Sequence, residues 1–303
     1  MNLQATGAAD ILVTALMPVK NYHPEFLKQA VESVFSQTSP RWKLLIIVEP
    51  SDESASLAAQ AQIAGNPKAR IVVNRGRKLA GAFNTGMSAA ETDYVAILLA
   101  DDRWTADAVE VLEHNVRSAA AADLFHSGRR HIDATGSRIG PQMKPAQNAS
   151  ARDFLRGSPV KHLICWRRAK ALSFGGMDES LNNVGPDDFD FPWCMIEHGA
   201  VVQAVDHCLY EYRVHQECYR LTTHLPRSIH LREIRRMLRK HRVSRVQTFA
   251  YLWMARRGFL RACLYRNPAH EWIYRNLLNR EPRGRWHKAI RLVERQTRDS
   301  AGT

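Results

Sequence analysis

The sequence has no C-x-x-C pair, no internal repeat, no low-complexity segment and no run near the roughly eighteen apolar residues that a membrane-spanning helix needs. Five cysteines, an odd number, stand at Cys165, Cys194, Cys208, Cys218 and Cys263. A chain of 303 residues can bury a core without disulfide staples, so the expectation is reduced thiols in a cytoplasmic setting. Cys208 and Cys218 lie near His207 and His215, but the spacing matches no standard zinc pattern. The opening "MNLQATGAAD" has neither a basic n-region nor an apolar h-region, so no secretory leader is expected. Acidic residues are scarce in one place only. From Leu221 to Thr303 there are 20 Lys or Arg against 5 Asp or Glu, a net +15, whereas the first 220 residues sum to −2.

The remainder is ordinary globular composition, 45% hydrophobic and 24% charged, arranged in a rhythm. "ILVTALMPV" (11–19) is a nearly continuous apolar run, as in a strand covered on both faces. "PEFLKQAVESVFSQT" (24–38) starts on proline and repeats apolar residues at helical spacing. The alternation continues with strand "WKLLIIVEP", helix "ESASLAAQAQIA", strand "ARIVVN", helix "AGAFNTGMSAAE" and strand "YVAILLADD". Four strand-to-helix alternations in about a hundred residues predict an α/β domain with a largely parallel sheet, its ligand edge beyond the carboxyl ends of the strands. Later, "DATG" (133–136) reads as a hairpin turn, "ARDFLRG" as a helix, "HLICWRR" as a strand, and "AVVQAVDHCLYEYRVH" (200–215) as two short strands.

Three constellations could carry chemistry. Asp101 and Asp102 end an apolar strand and together suit a hard divalent cation such as Mg²⁺ or Mn²⁺; the bland reading is a solvated turn or a helix N-cap. "GPDDFDF" places Asp187, Asp188 and Asp190 within four residues, where clustered acids raise one another's pKa and one could act as a general base; an acidic helix start would look the same. In "NRGRKLAGAFNTG", Gly76 and Gly81 have phosphate-loop spacing, but Ala82 and Phe83 occupy the positions that require Lys and Ser or Thr. Arg75, Arg77 and Lys78 could still meet a diphosphate, or could form a solvated loop.

Together these pieces resemble the family 2 glycosyltransferases of the GT-A fold over residues 9–216. "PVKN" resembles the family's opening Pro-x-x-Asn turn and "AVESVFSQT" the helix after it. "LAGAFNTGMSAAETDYVAILLADD" is similar to the signature that leads into the metal-binding acids, with Leu99 where an acid often stands. "FGGMDESL" with "PDDFDF" resembles the Gly-Gly-Phe-Asp-Glu and Glu-Asp-x-Asp pair, and "LYEYRVH" the strand that follows. The resemblance implies a GT-A, Rossmann-like, mostly parallel mixed sheet flanked by helices. It implies an inverting, metal-dependent transfer from a nucleotide-diphosphate sugar to a glycan or lipid-linked acceptor, in polysaccharide or glycolipid synthesis. It implies Asp102 as ligand of the divalent cation, Asp101 at the ribose or sharing the metal, Glu49 near the base, Asp188 as catalytic base, and Pro18, Asn21 and Asn84 beside Arg77 and Lys78 on the donor side. His215 would be a further metal ligand or a surface residue at a strand end.

The resemblance leaves the basic tail unexplained. The expected division is therefore a catalytic domain over 1–220 and a basic helical extension over 221–303. In "SIHLREIRRMLRKH", Leu231, Ile234, Met237 and Leu238 share one helical face among arginines, and "RWHKAIRLVERQ" and "FAYLWMARRGFLRACLY" extend the theme. Either these faces pack on protein, or the tail docks the enzyme peripherally on an anionic cytoplasmic membrane surface. Binding of nucleic acid by the tail is the rival reading, against which stands the lack of any recognition motif. A catalytically inactive GT-A domain used for binding is another.

Overall fold

The computed structural model describes residues 12–181, 185–215 and 227–253. Cys218, Cys263 and "RWHKAIRLVERQ" lie outside them, as does all but the first five residues of "FAYLWMARRGFLRACLY". The chain divides into two compact units: Met1–Ile132 with Pro141–Arg213, and Asp133–Gly140 with Val214–Thr303.

The first unit is built on β1 (Val13–Val19), α1 (Pro24–Phe35), β2 (Trp42–Val48), α2 (Glu53–Ile63), β3 (Ala69–Val73), α3 (Lys78–Ala89) and β4 (Tyr94–Ile97). There follow β5 (Arg103–Trp104), α4 (Ala108–Ser118), β6 (Leu124–Ile132), β7 (Arg138–Met143), β8 (Ile164–Arg167), α5 (Arg168–Leu172), α6 (Phe191–Glu197) and β9 (Val202–Arg213). The strands run β3-β2-β1-β4-β8-β6-β9-β5 across the sheet. Pairings from β3 to β4 are parallel, β8 is antiparallel to β4 and β6, β9 is parallel to β6, and β5 is antiparallel to β9. This is the mixed, mostly parallel GT-A sheet that the sequence predicts.

The near-continuous apolar strands follow from burial on both faces. On one face Val13, Ala15, Met17 and Val19 of β1 join Leu44, Ile46 and Val48 of β2 against Leu27, Ala30, Val31 and Val34 of α1 and Ala55 and Ala59 of α2. On the other, α3 comes so close that a Cβ on Gly86 would lie 3.0 Å from Leu16 and 3.1 Å from Ile47. Local signals set the helix starts: Pro24 opens α1, and the Asp52 carboxylate caps α2 by accepting from the Ala55 N–H at 3.0 Å.

Several boundaries differ from the expectation. The strand predicted through Asp102 ends at Ile97, because the chain turns at Leu99–Asp102 and its next two residues pair with β9. The two short strands expected over 200–215 are one strand, β9, whose register against β6 shifts beside Gly128. The helix at "ARDFLRG" is a short 3-10 helix. In the second unit "DATG" does form a turn: the Asp133 carboxylate accepts from the N–H groups of Thr135 and Ser137 at 2.9 and 3.0 Å, and Gly136 takes φ 87°. There too α7 (Arg227–Lys240) buries Ile234, Met237 and Leu238 and leaves Arg232, Arg235, Arg236, Arg239 and Lys240 exposed.

His126 of β6 is 1% exposed, and burial, reinforced by the Lys161 charge, pushes its pKa down to about 4 against an opposing contact with Ala146. The unfolded chain takes up this proton near pH 6.5 and the folded chain resists until about pH 4, so this group's contribution to stability is intact above pH 6.5 and lost as the pH falls to 4. The loss amounts to about 3 kcal/mol. Urea unfolding of wild type and His126→Phe at pH 7, 5.5 and 4.5 should show the stability difference between the two shifting by about 2 kcal/mol in favour of the variant over this range.

Candidate active site

The turn after β4 is held by β9. Asp102 is 1% exposed, and its Oδ2 accepts from the Tyr210 hydroxyl at 2.8 Å while Oδ1 accepts from the Arg213 N–H at 2.7 Å. The same hydroxyl accepts from the Leu99 N–H at 3.1 Å. Arg213, itself fully buried, donates from Nε to the Asp101 carbonyl at 2.7 Å and from Nη2 to Gln29 at 2.7 Å, with its guanidinium 4.4 Å from the centre of the Phe26 ring. Burial drives the Asp102 carboxyl well above the ordinary carboxylate range; the Asp101 charge adds to this, while the Arg213 N–H, the Tyr210 hydroxyl and the Arg129 charge oppose it. Burial and the Asp102 charge likewise raise Tyr210, which keeps it a donor. Asp101, next door, is half-exposed. The pair is therefore divided: Asp102 is buried with both carboxylate oxygens hydrogen-bonded, and Asp101 is partly exposed. The N-cap reading of Asp102 does not hold, since α4 begins after Asp107.

The acidic cluster forms a π-helical turn, Pro186–Asp190, entered through Gly185 at φ 69°. A Cβ there would come within 2.7 Å of Asp188 Oδ1, so glycine lets that carboxylate fold back over the chain. Asp187 lies 3.2 Å from His162 Nε2, and the His162 ring stacks on Tyr210 with centroids 5.1 Å apart. Tyr210 thus touches Asp102 directly and reaches Asp187 through His162. Asp188 is half-buried; desolvation, then the neighbouring Asp187, raises its pKa, while His162, Arg129 and Lys161 pull it down. Asp190 is fully buried.

The third part is the loop between β3 and α3. Asn74 donates to Glu49 at 3.1 Å and to the Lys78 carbonyl at 3.3 Å, and its carbonyl oxygen accepts from the Gly76 N–H at 2.9 Å and the Thr85 hydroxyl at 3.2 Å. Glu179 accepts from the Arg77 N–H at 2.8 Å and from the Asn84 amide at 3.1 Å. A Cβ on Gly81 would sit 2.4 Å from the Gly76 carbonyl carbon, so the two glycines are a backbone contact that presses the loop onto α3 and not a phosphate loop. Arg77 and Lys78 remain exposed, as does Asn21 at φ 51°; Pro18 lies within β1, opposite Ile47 of β2. Asn84, expected on the donor side, spends its amide on both backbone groups of Met177, at 2.8 and 2.9 Å, and on Glu179. His215 is half-buried two residues beyond Arg213, in the second unit.

The sequence reading missed Tyr210, Arg213, Glu179 and His162. The first three stand in quoted motifs, "LYEYRVH" and "GGMDESL", but polar residues that brace a site look like any others in a line of letters. Nothing in the sequence marks His162.

Residues 14–169, just over half of the chain, match the model of the family described as Glycosyl transferase family 2. The chain belongs to that family. The chain is 26% identical over 181 residues to the O-antigen biosynthesis protein RfbC of Myxococcus xanthus, a match covering 58% of the chain and 14% of RfbC. The chain spans a fifth or less of the first curated relatives it matches. Among solved structures, S. aureus TarS in complex with UDP-GlcNAc superposes with a TM-score of 0.60 at 10% identity, covering 86% of this chain and 75% of that one. Mannosyltransferase PcManGT from Pyrobaculum calidifontis, in complex with GDP-Man and Mn²⁺, gives 0.53 at 19%, covering 87% and 72%. At these identities the structural likeness establishes the fold.

The division between the two aspartates has a measurable consequence. Tyr210→Phe deletes a donor to a buried carboxylate and an acceptor for the Leu99 N–H. It should cost about 1–3 kcal/mol of stability, read by urea or thermal unfolding, and Asp101→Asn, at a partly exposed position, should cost less. Equal costs at the two positions would remove the distinction between a buried and a partly exposed carboxylate.

Proposed function

We propose that this member of the family transfers a sugar, with inversion, from a nucleotide-diphosphate sugar to an acceptor hydroxyl, with Asp188 as base. The observation that carries the reading is that Tyr210 and His162 link the Asp101–Asp102 turn to the Asp187–Asp188 turn, which supports placing a partly exposed carboxylate and a base with an elevated pKa in one site. Asp188 accepts the proton of the acceptor hydroxyl; that oxygen bonds to the anomeric carbon from the face opposite the diphosphate, and the anomeric C–O bond to the diphosphate breaks. The opposing effects on its pKa suit this: burial makes the carboxylate basic, while Arg129 and Lys161 keep an ionised fraction.

The donor set fits a hard divalent cation, because it offers carboxylate oxygen at an accessible position. Asp101 would hold it, because Asp102 has both oxygens engaged and is 1% exposed. Asp102, expected from the sequence to be the ligand, then positions the turn. When bound, Mg²⁺ or Mn²⁺ supplies positive charge for the diphosphate as it departs. Glu49, Arg77 and Lys78 lie beyond β2 and β3 on the side where a nucleotide would enter, and Asn84 sets their loop through Glu179. The relatives' names support a place in polysaccharide synthesis, and the acceptor we propose is a glycan or lipid-linked hydroxyl.

The test uses UDP-GlcNAc and GDP-mannose with and without Mn²⁺, first by thermal shift, since a ligand that binds only the folded state raises its melting temperature. Wild type should be stabilised by one of these donors only with metal. Asp101→Asn should lose that shift while remaining folded. No shift with any donor, in a folded chain, favours an inactive binding domain.

Asp188→Asn should keep the metal-dependent donor shift and lose transfer or donor hydrolysis by about a hundredfold or more. In the wild type the acid limb of the rate profile should lie above the ordinary carboxylate range, since the base must be ionised and its pKa is raised. Near-normal turnover by the Asn variant would reassign the base to Asp187 or Asp190.

A further inference from the structure

The face of α7 that the sequence offers to a membrane is buried, and a different surface is exposed. Beyond α7 the chain turns at 241–244 and re-enters a helix at residues 245–253, here α8. The turn is fixed locally. The Val243 N–H donates to the Leu238 carbonyl and the Arg242 N–H to the Arg239 carbonyl, both at 3.0 Å, with Arg242 at φ 51°. Ser244 then caps α8, its hydroxyl oxygen accepting from the Gln247 N–H at 3.2 Å.

On α8, Val246 is 79% exposed, Phe249 73% and Trp253 48%. Their spacing of three and then four residues puts them on one stripe. Large apolar side chains clustered in solvent call for an occupant. The surroundings are basic: Arg235, Arg236 and Arg239 of α7 are exposed, as are Arg242 and Arg245, and the one acid between residues 227 and 253, Glu233, is buried.

We infer that α8 and the exposed basic face of α7 form a docking surface for an anionic lipid bilayer, with Val246, Phe249 and Trp253 entering the headgroup boundary. Charge selects this occupant. A second copy would set identical arginines against one another. The rest of the chain, 254–303, holds 12 Lys or Arg and 4 Asp or Glu, so it offers no complementary charge. Nucleic acid would satisfy the arginines but leave the apolar stripe in water, whereas an anionic membrane satisfies both. The inference does not depend on the transfer chemistry proposed above.

Flotation with the 303-residue chain tests it. Vesicles of phosphatidylcholine with one-third phosphatidylserine should carry the protein up at low salt and release it at high salt, and pure phosphatidylcholine should not bind it. Arg235→Gln, Arg236→Gln and Arg239→Gln together should weaken partitioning by about a hundredfold, at about fivefold per charge. Phe249→Ser with Val246→Ser should weaken it by about tenfold or more. Both variants should keep the wild-type melting temperature and the wild-type thermal response to soluble donor with Mn²⁺, which separates failure here from failure of the transferase reading. The inference is overturned if the wild type stays with the soluble fraction at low salt, if the variants float as well as wild type, if duplex DNA displaces the protein from vesicles at equal charge concentration, or if the serine variants dissolve a dimer instead of abolishing flotation.

Discussion

Burying the Asp102 carboxylate is the constraint on which the site is built. Its two oxygens must be satisfied within the protein, and the Tyr210 hydroxyl and the Arg213 N–H do so. Because both belong to β9, the end of that strand is fixed against the turn after β4, and Arg213 uses its side chain to hold the Asp101 carbonyl and Gln29 of α1. The partial exposure of Asp101 goes with that arrangement. Tyr210 extends it further, since the ring that donates to Asp102 also carries the His162 stack, and through it Asp187.

The electrostatics follow the same division. Asp102 and Asp188 are both raised by desolvation and by an adjacent aspartate, and Arg129 lowers both. One buried cation thus moderates two acids assigned to different parts of the site. The loop after β3 is separate from this network. Asn74, the carboxylates of Glu49 and Glu179, and the Gly76–Gly81 contact hold it, leaving the side chains of Arg77 and Lys78 exposed.

What could be read in advance was whatever repeats or is strung along the chain. The parallel half of the sheet was legible because β1 to β4 carry apolar runs and their helices carry helical spacing and caps. The acidic turns were legible as short motifs in order. Boundaries set by distant pairing were not: β4 stops at Ile97 because Arg103 and Trp104 are claimed by β9, more than a hundred residues away. The same distance hid the inequality of Asp101 and Asp102, since neighbours with identical side chains differ only in what the fold brings to them. Asn84 was legible as a motif residue, but its bonds to Met177 and Glu179 are visible only in three dimensions. In the tail, periodicity found the apolar face of α7 but could not tell a face that is buried from one that meets solvent.

The bond between Asp102 and β9 also bears on the order in which the molecule can come together. The aspartates leave the ribosome with the parallel half of the sheet, whose strands β1, β2, β3 and β4 pair among themselves through short connections. Tyr210 and Arg213 emerge more than a hundred residues later. Until then the carboxylate of Asp102 lacks the groups that make its burial tolerable, and the turn that bears it has reason to stay in water. A nascent chain would therefore hold a formed parallel half of the sheet next to an unformed turn at Asp101 and Asp102, and the geometry of that turn would arrive with β9, the last strand to emerge.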